Sequence, residues 1–131
     1  MTPNRRLYDT RFFAESFYTS DPQLAKKLKE EFRSTNEKLV SSLTIHEIYR
    51  LVLKTDGKTV ATLRSNTIKQ DFQIIDVNYQ IAVKSAELRA KHPMPMADSV
   101  IAATAQINEC PLFSDDAHFE NIENLKLVWC K

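Results

Sequence analysis

Four acidic residues occur where a predicted strand ends or a predicted helix begins: Asp9, Glu47, Asp98 and Asp116. If the fold brings them together, their like charges lie within a few ångströms, and such a cluster either takes up protons or recruits a cation. Carboxylate oxygens are hard ligands that suit Mg²⁺ or Mn²⁺, and these ions commonly serve phosphate chemistry. The four acids therefore predict a Mg²⁺ (or Mn²⁺) site that acts on a phosphate ester.

The composition limits how a phosphate can be held. The chain has 131 residues, a length that fits one domain, and we expect a single domain over residues 1–131. Its net charge is +1, so no overall field favours nucleic acid or a membrane. The only glycine is Gly57, which excludes both the GxGxxG and the GxxxxGK[ST] phosphate-binding loops. Any phosphate must be bound through a metal or through side chains.

Targeting signals and cysteine chemistry give no further function. No run approaches the ~18 apolar residues of a membrane span, and no apolar segment of signal-peptide length follows Arg5 and Arg6. We expect a cytoplasmic protein without a membrane partner. Cys110 precedes the fourth predicted strand and Cys130 follows the fifth. In parallel neighbouring strands they would be roughly 13 Å apart, beyond the ~7 Å that a disulfide spans, so both are predicted to be free.

Strand patterns alternate with helix patterns along the chain. Strands are predicted over 6–9, 38–42, 73–77, 111–114 and 126–129. Helices are predicted over 11–18, 22–33, 44–53, 60–72, 78–91 and 96–108, with a short helix over 117–122. This alternation favours an α/β fold with a parallel sheet of four to five strands and helices on both of its faces.

Parallel sheets of this kind collect their sites at the carboxyl ends of the strands. Asp9 follows the first strand, Glu47 lies in the first turn of the helix after the second strand, and Asp116 follows the fourth. Topology alone therefore brings three of the four acids to one edge. Asp98 lies in the first turns of the helix that precedes the fourth strand, a position that topology does not place.

Each acid also has a structural explanation. The sequence from Thr44 to Glu47 matches a capping box, in which Glu47 would bind the backbone of Thr44. Asp98 could stabilise the positive end of its helix dipole, and Asp116 could cap the short helix after it. Asp9 is the hardest to explain in this way, because it lies between an apolar strand and two phenylalanines, where an unpaired charge is costly.

The ordered segments resemble the PIN domain, most closely the VapC-type toxins of toxin–antitoxin pairs. The resemblance is carried by LYDTRFF at 7–13, the helix start at Thr44 and Glu47, PMADSVIAATA at 95–105 and LFSDDAHFENI at 112–122. It implies a three-layer α/β/α sandwich and a metal-dependent endoribonuclease that leaves 5′-phosphate and 3′-hydroxyl ends. The core acids would be Asp9, Glu47 and Asp98, with Asp116 as the fourth.

The resemblance also implies accessory residues. Thr10 and Ser114 match positions of small hydroxyl residues, and Asp115 could substitute for its neighbour Asp116. Arg11 departs from the small polar residue that the family often has there. It could grip a phosphate, pair with an acid or point away from the site. His118 is predicted to be a packing or surface residue.

Partners and alternatives stay open at this stage. The resemblance implies an RNA substrate, an antitoxin that inserts a tail with a basic residue into the acidic pocket, and a homodimer. The aromatic cluster Phe12, Phe13, Phe17 and Tyr18 is predicted either to pack in the core or to form an association surface. A stand-alone PIN-type RNA-processing nuclease and a catalytically silent PIN-like binding module are the main alternatives.

A haloacid-dehalogenase-like phosphatase is disfavoured, because Arg11 stands where its second acid is required. A phosphoreceiver domain is disfavoured, because Asp76 and Lys131 fit its functional positions poorly.

Overall fold

The computed structural model describes residues 4–130 and contains a five-stranded sheet. Residues 1–3 and 131, the ends of the predicted domain, lie outside the described part. The strands are β1 (Arg5–Tyr8), β2 (Glu37–Ser41), β3 (Gln73–Ile75), β4 (Leu112–Phe113) and β5 (Leu127–Val128). All five predicted strands are present, and most differ from their predicted bounds by a residue or two at either end.

Every strand pair in the sheet is parallel, in the order β3-β2-β1-β4-β5. Strand β1 is therefore central, with β2 and β4 as its neighbours. Leu7 of β1 is in register with Leu39 of β2 on one side and with Leu112 of β4 on the other. The carboxyl ends of these three strands consequently open onto the same edge of the sheet.

Six α-helices and one 3₁₀-helix connect the strands. They are α1 (Thr10–Tyr18), α2 (Pro22–Ser34), α3 (Ser42–Asp56), α4 (Lys58–Asp71), α5 (Tyr79–Lys91), α6 (Met96–Ile107) and the 3₁₀-helix Ala117–Phe119. The predicted start of α2 is confirmed: the Asp21 side chain accepts a hydrogen bond from the Gln23 amide at 3.0 Å, and Pro22 is the first helical residue. Gly57 separates α3 from α4 at a φ of +88°, a conformation that glycine adopts without strain.

Alternate strand residues pack on opposite faces of the sheet, as a period of two requires. One face is covered by α5 and α6, and the other by α1 to α4. Buried side chains of the sheet form both layers of the core: Leu7, Leu39 and Leu112 lie on the first face, and Tyr8, Val40 and Phe113 lie on the second. The predicted α/β/α sandwich with a parallel sheet is confirmed.

Helix α3 corrects one sequence prediction. It begins at Ser42 rather than at Thr44, because the Ser41 hydroxyl caps it by accepting a hydrogen bond from the Leu43 amide at 3.1 Å. Glu47 is therefore in the second turn, where no free helix-end amide is available to it. The capping-box interpretation of Thr44 and Glu47 is wrong.

The structure also bears on the predictions for the cysteines, the membrane and the short helix. Cys110 and Cys130 are both free, and the parallel pairing of β4 with β5 on which that prediction depended is present. None of the helices in residues 4–130 has the length and apolar character that crossing a membrane requires. The short helix predicted over 117–122 is only a single 3₁₀ turn, which ends at Phe119.

Candidate active site

Asp9 lies directly after β1, in the position that would cap α1, yet its side chain makes no capping hydrogen bond. Only 3% of the residue is exposed. Its Oδ2 atom accepts a hydrogen bond of 2.7 Å from the Ser114 hydroxyl, and its backbone amide donates to the carbonyl of Phe113 at 3.2 Å. The central strand and its neighbour β4 thus fix this carboxylate at the edge of the sheet.

The environment of Asp9 disfavours its charge. The pKa of its carboxyl is raised to about 6: burial is the largest cause and the charges of Asp98 and Asp116 add to it, while hydrogen bonds from the Ser114 hydroxyl and the Thr10 amide oppose the increase. Within residues 4–130 no basic side chain pairs with it. A buried acid that lacks a compensating cation is the arrangement expected of a site built to receive one.

Glu47 is brought to this edge from α3. Its Oε1 atom accepts a hydrogen bond of 2.6 Å from the hydroxyl of Thr10, the first residue of α1. The two residues are 37 positions apart, so this contact depends on the packing of α1 against α3 rather than on local sequence. Thr10 therefore orients the glutamate, much as Ser114 orients Asp9.

Asp98 and Asp116 share one imidazole nitrogen. His118 Nδ1 lies 2.8 Å from Asp98 Oδ2 and 3.2 Å from Asp116 Oδ1, and the His118 backbone amide also donates to Asp116 Oδ1 at 2.9 Å. Because both neighbours are carboxylate oxygens, Nδ1 must carry a proton. Asp116 thus does cap the 3₁₀ turn, as its structural alternative predicted, while it also faces Asp98.

Burial is the largest cause that raises the pKa of the Asp98 carboxyl. The charge of Asp116 adds to this increase, the hydrogen bond from His118 opposes it, and the charge of Glu47 contributes a further increase. Asp98, which topology alone did not place, therefore lies within electrostatic reach of the other three acids. Within residues 4–130, the acids whose ligand atoms lie within 4.8 Å of one another are Asp98 and Asp116, so a site that includes Asp9 and Glu47 stays a prediction.

His118 is the residue at this site that sequence reasoning missed. It is exposed, as the surface prediction stated, but its Nδ1 atom lies between two of the acids. The spacing of Asp116 and His118, two residues apart in a tight turn, was the available signal. The second contact, to Asp98, is made across the fold and leaves no local pattern.

The donor set fits a hard divalent cation. One side-chain atom each of Asp98, Asp116 and His118 lies within 4.8 Å of the other two. Because His118 Nδ1 donates its proton there, the two carboxylate oxygens are the candidate ligands. Two carboxylate oxygens already converge on a single hydrogen-bond donor, as they would on a cation. The buried carboxylate of Asp9 lies within electrostatic reach of these two acids and has no basic partner among residues 4–130. A mainly carboxylate set of this kind suits Mg²⁺ or Mn²⁺ better than a soft metal.

Arg11 and Asp115 lie beside the acids but pair with each other. Arg11 Nε is 2.9 Å from Asp115 Oδ1, and Arg11 Nη2 is 3.1 Å from Asp115 Oδ2. Of the three roles left open for Arg11, the structure shows pairing with an acid, and that acid is not one of the four. The same contact lowers the pKa of the Asp115 carboxyl. Asp115 is thus engaged by Arg11, and its substitution for Asp116 stays a prediction.

The aromatic cluster of α1 is mainly a packing feature. Phe12 and Phe13 are buried, Phe17 is partly buried, and Tyr18 is 37% exposed. The rings of Phe12, Phe13 and Phe17 line a groove of about 440 Å³ together with side chains of α2 and α4. Core packing is thus confirmed for the two buried phenylalanines, and an association surface on this helix stays a prediction.

Comparisons with known proteins agree with the architecture. The family model described as PIN domain matches residues 7–125. VapBC2 from Rickettsia felis, solved bound to a promoter DNA fragment, is 18% identical with a TM-score of 0.79, covering 97% of this chain and 99% of that one. A toxin–antitoxin complex from Klebsiella pneumoniae is 23% identical with a TM-score of 0.75, covering 94% and 95%.

A third structure is described as a toxin that cleaves the sarcin-ricin loop. This protein, VapC20 from Mycobacterium tuberculosis, is 15% identical with a TM-score of 0.71, covering 85% of this chain and 89% of that one. No curated protein sequence matched the chain. At these identities the likeness to solved structures concerns the fold.

Proposed function

The chain belongs to the PIN domain family, and from this we propose that it is a Mg²⁺- or Mn²⁺-dependent endoribonuclease, the toxin of a VapBC-type toxin–antitoxin pair. The proposal treats residues 1–131 as one PIN-like domain. The observation that carries it is the buried charge of Asp9 among three further acids, with no basic partner in residues 4–130. Like charges held close together lower the stability of a protein. A cluster of acids is therefore better explained by a function that uses a bound cation.

Four carboxylates are proposed to hold the cation: Asp9, Glu47, Asp98 and Asp116. When bound there, Mg²⁺ or Mn²⁺ supplies positive charge opposite the phosphate and lowers the pKa of water. The reaction is hydrolysis of an RNA phosphodiester, in which the bond from phosphorus to O3′ breaks and water supplies the new oxygen. The products carry 5′-phosphate and 3′-hydroxyl ends, as the resemblance implies.

Three neighbouring side chains prepare the carboxylates for this task. The Ser114 hydroxyl holds Oδ2 of Asp9, and the Thr10 hydroxyl holds Oε1 of Glu47, so both acids are oriented before a ligand arrives. His118 directs the N–H of Nδ1 at two carboxylates and offsets part of their repulsion. The carboxylates must be ionised to act, which the cation favours by removing their unfavourable charge.

RNA cleavage by the purified protein tests the proposal. We expect a structured RNA to be cut with Mg²⁺ or Mn²⁺ and left intact with EDTA. Asp9→Asn should lower the rate about a thousandfold, because it removes a ligand from a metal that supplies several kcal/mol to the transition state. Glu30→Gln, which removes an exposed carboxylate on α2, should cut at the normal rate.

Two outcomes of that experiment would overturn the enzyme proposal. Cleavage by Asp9→Asn at the normal rate would show that the activity arises elsewhere. Absence of cleavage by the unmodified protein with both metals would favour a catalytically silent PIN-like binding module.

The proposed partner is an antitoxin that places a basic side chain among the acids. The Rickettsia and Klebsiella neighbours were solved as toxin–antitoxin systems, which supports a partner of this class. Asp9 and Asp98 both have raised carboxyl pKa values, so an inserted cation would relieve the same repulsion as a metal. A short neighbouring gene for a DNA-binding protein whose product co-purifies with the chain and inhibits cleavage is expected. Its absence would favour a stand-alone RNA-processing nuclease.

A homodimer is proposed on the resemblance alone. A dimeric mass in solution at micromolar concentration is the expected result. A monomeric mass would contradict it.

A further inference from the structure

The two turns that carry Asp9 and Asp116 are joined by an ion pair on the surface of the protein. Arg11 and Asp115 make a two-point contact, Nε to Oδ1 at 2.9 Å and Nη2 to Oδ2 at 3.1 Å. The residues are 104 positions apart, and each stands within two positions of one of the proposed ligands. From this arrangement we propose that the Arg11–Asp115 pair positions Asp116 relative to Asp9 and thereby sets the affinity of the acidic cluster for a divalent cation.

The geometry of the pair is suited to positioning. A planar guanidinium that meets a carboxylate at two points fixes both distance and orientation, which a single contact does not. Arg11 is the second residue of α1, so its backbone is held by the helix. Asp115 lies in the turn between β4 and the 3₁₀-helix, outside any regular element. Arg11, on helix α1, therefore holds the irregular turn that contains Asp115.

The turn has few other links to the β1–α1 segment. The Ser114 hydroxyl donates to Asp9 and accepts from the Asp116 amide at 3.1 Å, which ties the start of the turn to the site. The hydrogen bonds that Asp116 itself accepts come from His118, inside the same turn. The only side-chain hydrogen bonds from residues 9–11 to Asp115 or Asp116 in the described part of the chain are the two that Arg11 donates to Asp115.

A phosphate-binding role for Arg11 is the main alternative. Both Nε and Nη2 are occupied by Asp115, and Nη1 lies 3.9 Å from Glu15 Oε1. The guanidinium is thus surrounded by carboxylates of its own chain, which favours positioning over RNA binding. Positioning and phosphate binding also predict different effects of losing Asp115. A positioning pair needs both residues equally, whereas a phosphate-binding arginine would be released by loss of Asp115.

Binding of Mn²⁺ in the absence of RNA tests the proposal, which rests on the proposed function in taking Asp116 as a ligand. We expect Arg11→Ala and Asp115→Asn each to weaken Mn²⁺ binding about fivefold, because residues that orient metal ligands contribute to affinity. The double variant should also be about fivefold weaker, since the two residues act as one unit. Glu15→Gln, which removes only the 3.9 Å neighbour, should bind normally.

Hydrogen exchange of the metal-free protein gives a readout that needs neither metal nor activity. The Asp116 and His118 amides, which are hydrogen-bonded within the turn, should exchange faster in Arg11→Ala and Asp115→Asn than in the unmodified protein or in Glu15→Gln. This comparison stands even if the chain cuts no RNA, so failure of the proposed function and failure of the positioning role are distinguishable.

Unchanged exchange at both amides in the two variants would overturn the proposal. So would Mn²⁺ affinities that fall for Arg11→Ala but not for Asp115→Asn. A higher KM for RNA in Arg11→Ala, with normal Mn²⁺ binding and a normal or lower KM in Asp115→Asn, would assign Arg11 to the phosphate instead.

Discussion

Two acids near the central strand are both largely removed from water, and the protein compensates only one of them. Glu31 has a side chain that is 10% exposed; Arg6 forms an ion pair with its Oε1, and the hydroxyls of Tyr8 and Thr35 each lie 2.9 Å from its Oε2. Asp9, which directly follows Tyr8, is 3% exposed and has a hydroxyl but no cation as partner among residues 4–130.

This difference in compensation indicates a structural role for Glu31 and a functional role for Asp9. At Glu31 a cation and two hydroxyls satisfy the carboxylate, so burial there joins α2 to β1 at little electrostatic cost. At Asp9 the neighbouring charges are Asp98 and Asp116, which have the same sign. A carboxylate that is buried without compensation costs stability, and the proposed cation would supply the missing positive charge.

The largest expected effect on stability is at the compensated acid. Glu31→Ala should lower the free energy of unfolding by about 3 kcal/mol, because it leaves the half-buried Arg6 without its ion pair and takes a charged acceptor from the hydroxyls of Tyr8 and Thr35. Urea denaturation measures this loss. The neighbouring exposed acid gives a matched control, and Glu30→Ala should change stability by less than about 0.5 kcal/mol. A loss below about 1 kcal/mol at Glu31 would contradict the comparison.

The charge of Asp9 should lower the stability of the metal-free protein, the opposite of the effect of Glu31. Burial raises the pKa of its carboxyl from 3.8 to about 6, so the folded state binds this proton more tightly than the unfolded state does. The metal-free protein is therefore most stable, with respect to Asp9, below about pH 4, and it loses that stability as the pH rises through 6.

Replacement of Asp9 by an amide removes this loss. In EDTA, Asp9→Asn should raise the free energy of unfolding by about 2 kcal/mol at pH 7.5, and the gain should disappear near pH 4. Denaturation of both proteins across this pH range measures the difference. A variant that is less stable than the unmodified protein at pH 7.5 would show that the charge of Asp9 is already compensated.

The smallest expected effect is at the hydroxyl that partly stabilises Asp9. Ser114→Ala removes the hydrogen bond that lowers the pKa of this carboxyl, so that pKa should rise and the midpoint of Mn²⁺ binding should move to higher pH by about half a unit. Mn²⁺ titrations between pH 5 and 8 measure the shift. Ser85→Ala removes a buried hydroxyl on α5 and should leave the midpoint in place. A shift to lower pH in Ser114→Ala would contradict the assigned role.

Much of the fold could be predicted from the chain because its signals are local. The alternation of strand and helix patterns, the Asp21-Pro22 helix start and the break at Gly57 all lie within a few residues of the structure that they specify. The error at α3 is also instructive. Thr44 and Glu47 match a common motif, but Ser41 provides a cap three residues earlier, and the sequence contains both signals.

The candidate site was less predictable than the fold. Asp9 and Asp116 could be placed at one edge because each follows a strand of a parallel sheet. Asp98 could not, since it lies in the first turn of α6, and the position of that turn depends on how α6 packs. The partners of these acids, Thr10 for Glu47 and His118 for Asp98, follow from contacts between elements that no spacing in the sequence encodes.

The sequence by itself determined which acids stand at the ends of strands and helices, and it excluded glycine-loop phosphate sites through its single glycine. Tertiary structure decided which charges are compensated. The sheet order places β1 between β2 and β4, so Asp9 meets Ser114 and Arg11 meets Asp115 over more than 100 positions of chain. Hydrophobic periodicity specifies elements because it is a local property, whereas the pairing of charges depends on distances that exist only after the elements have packed.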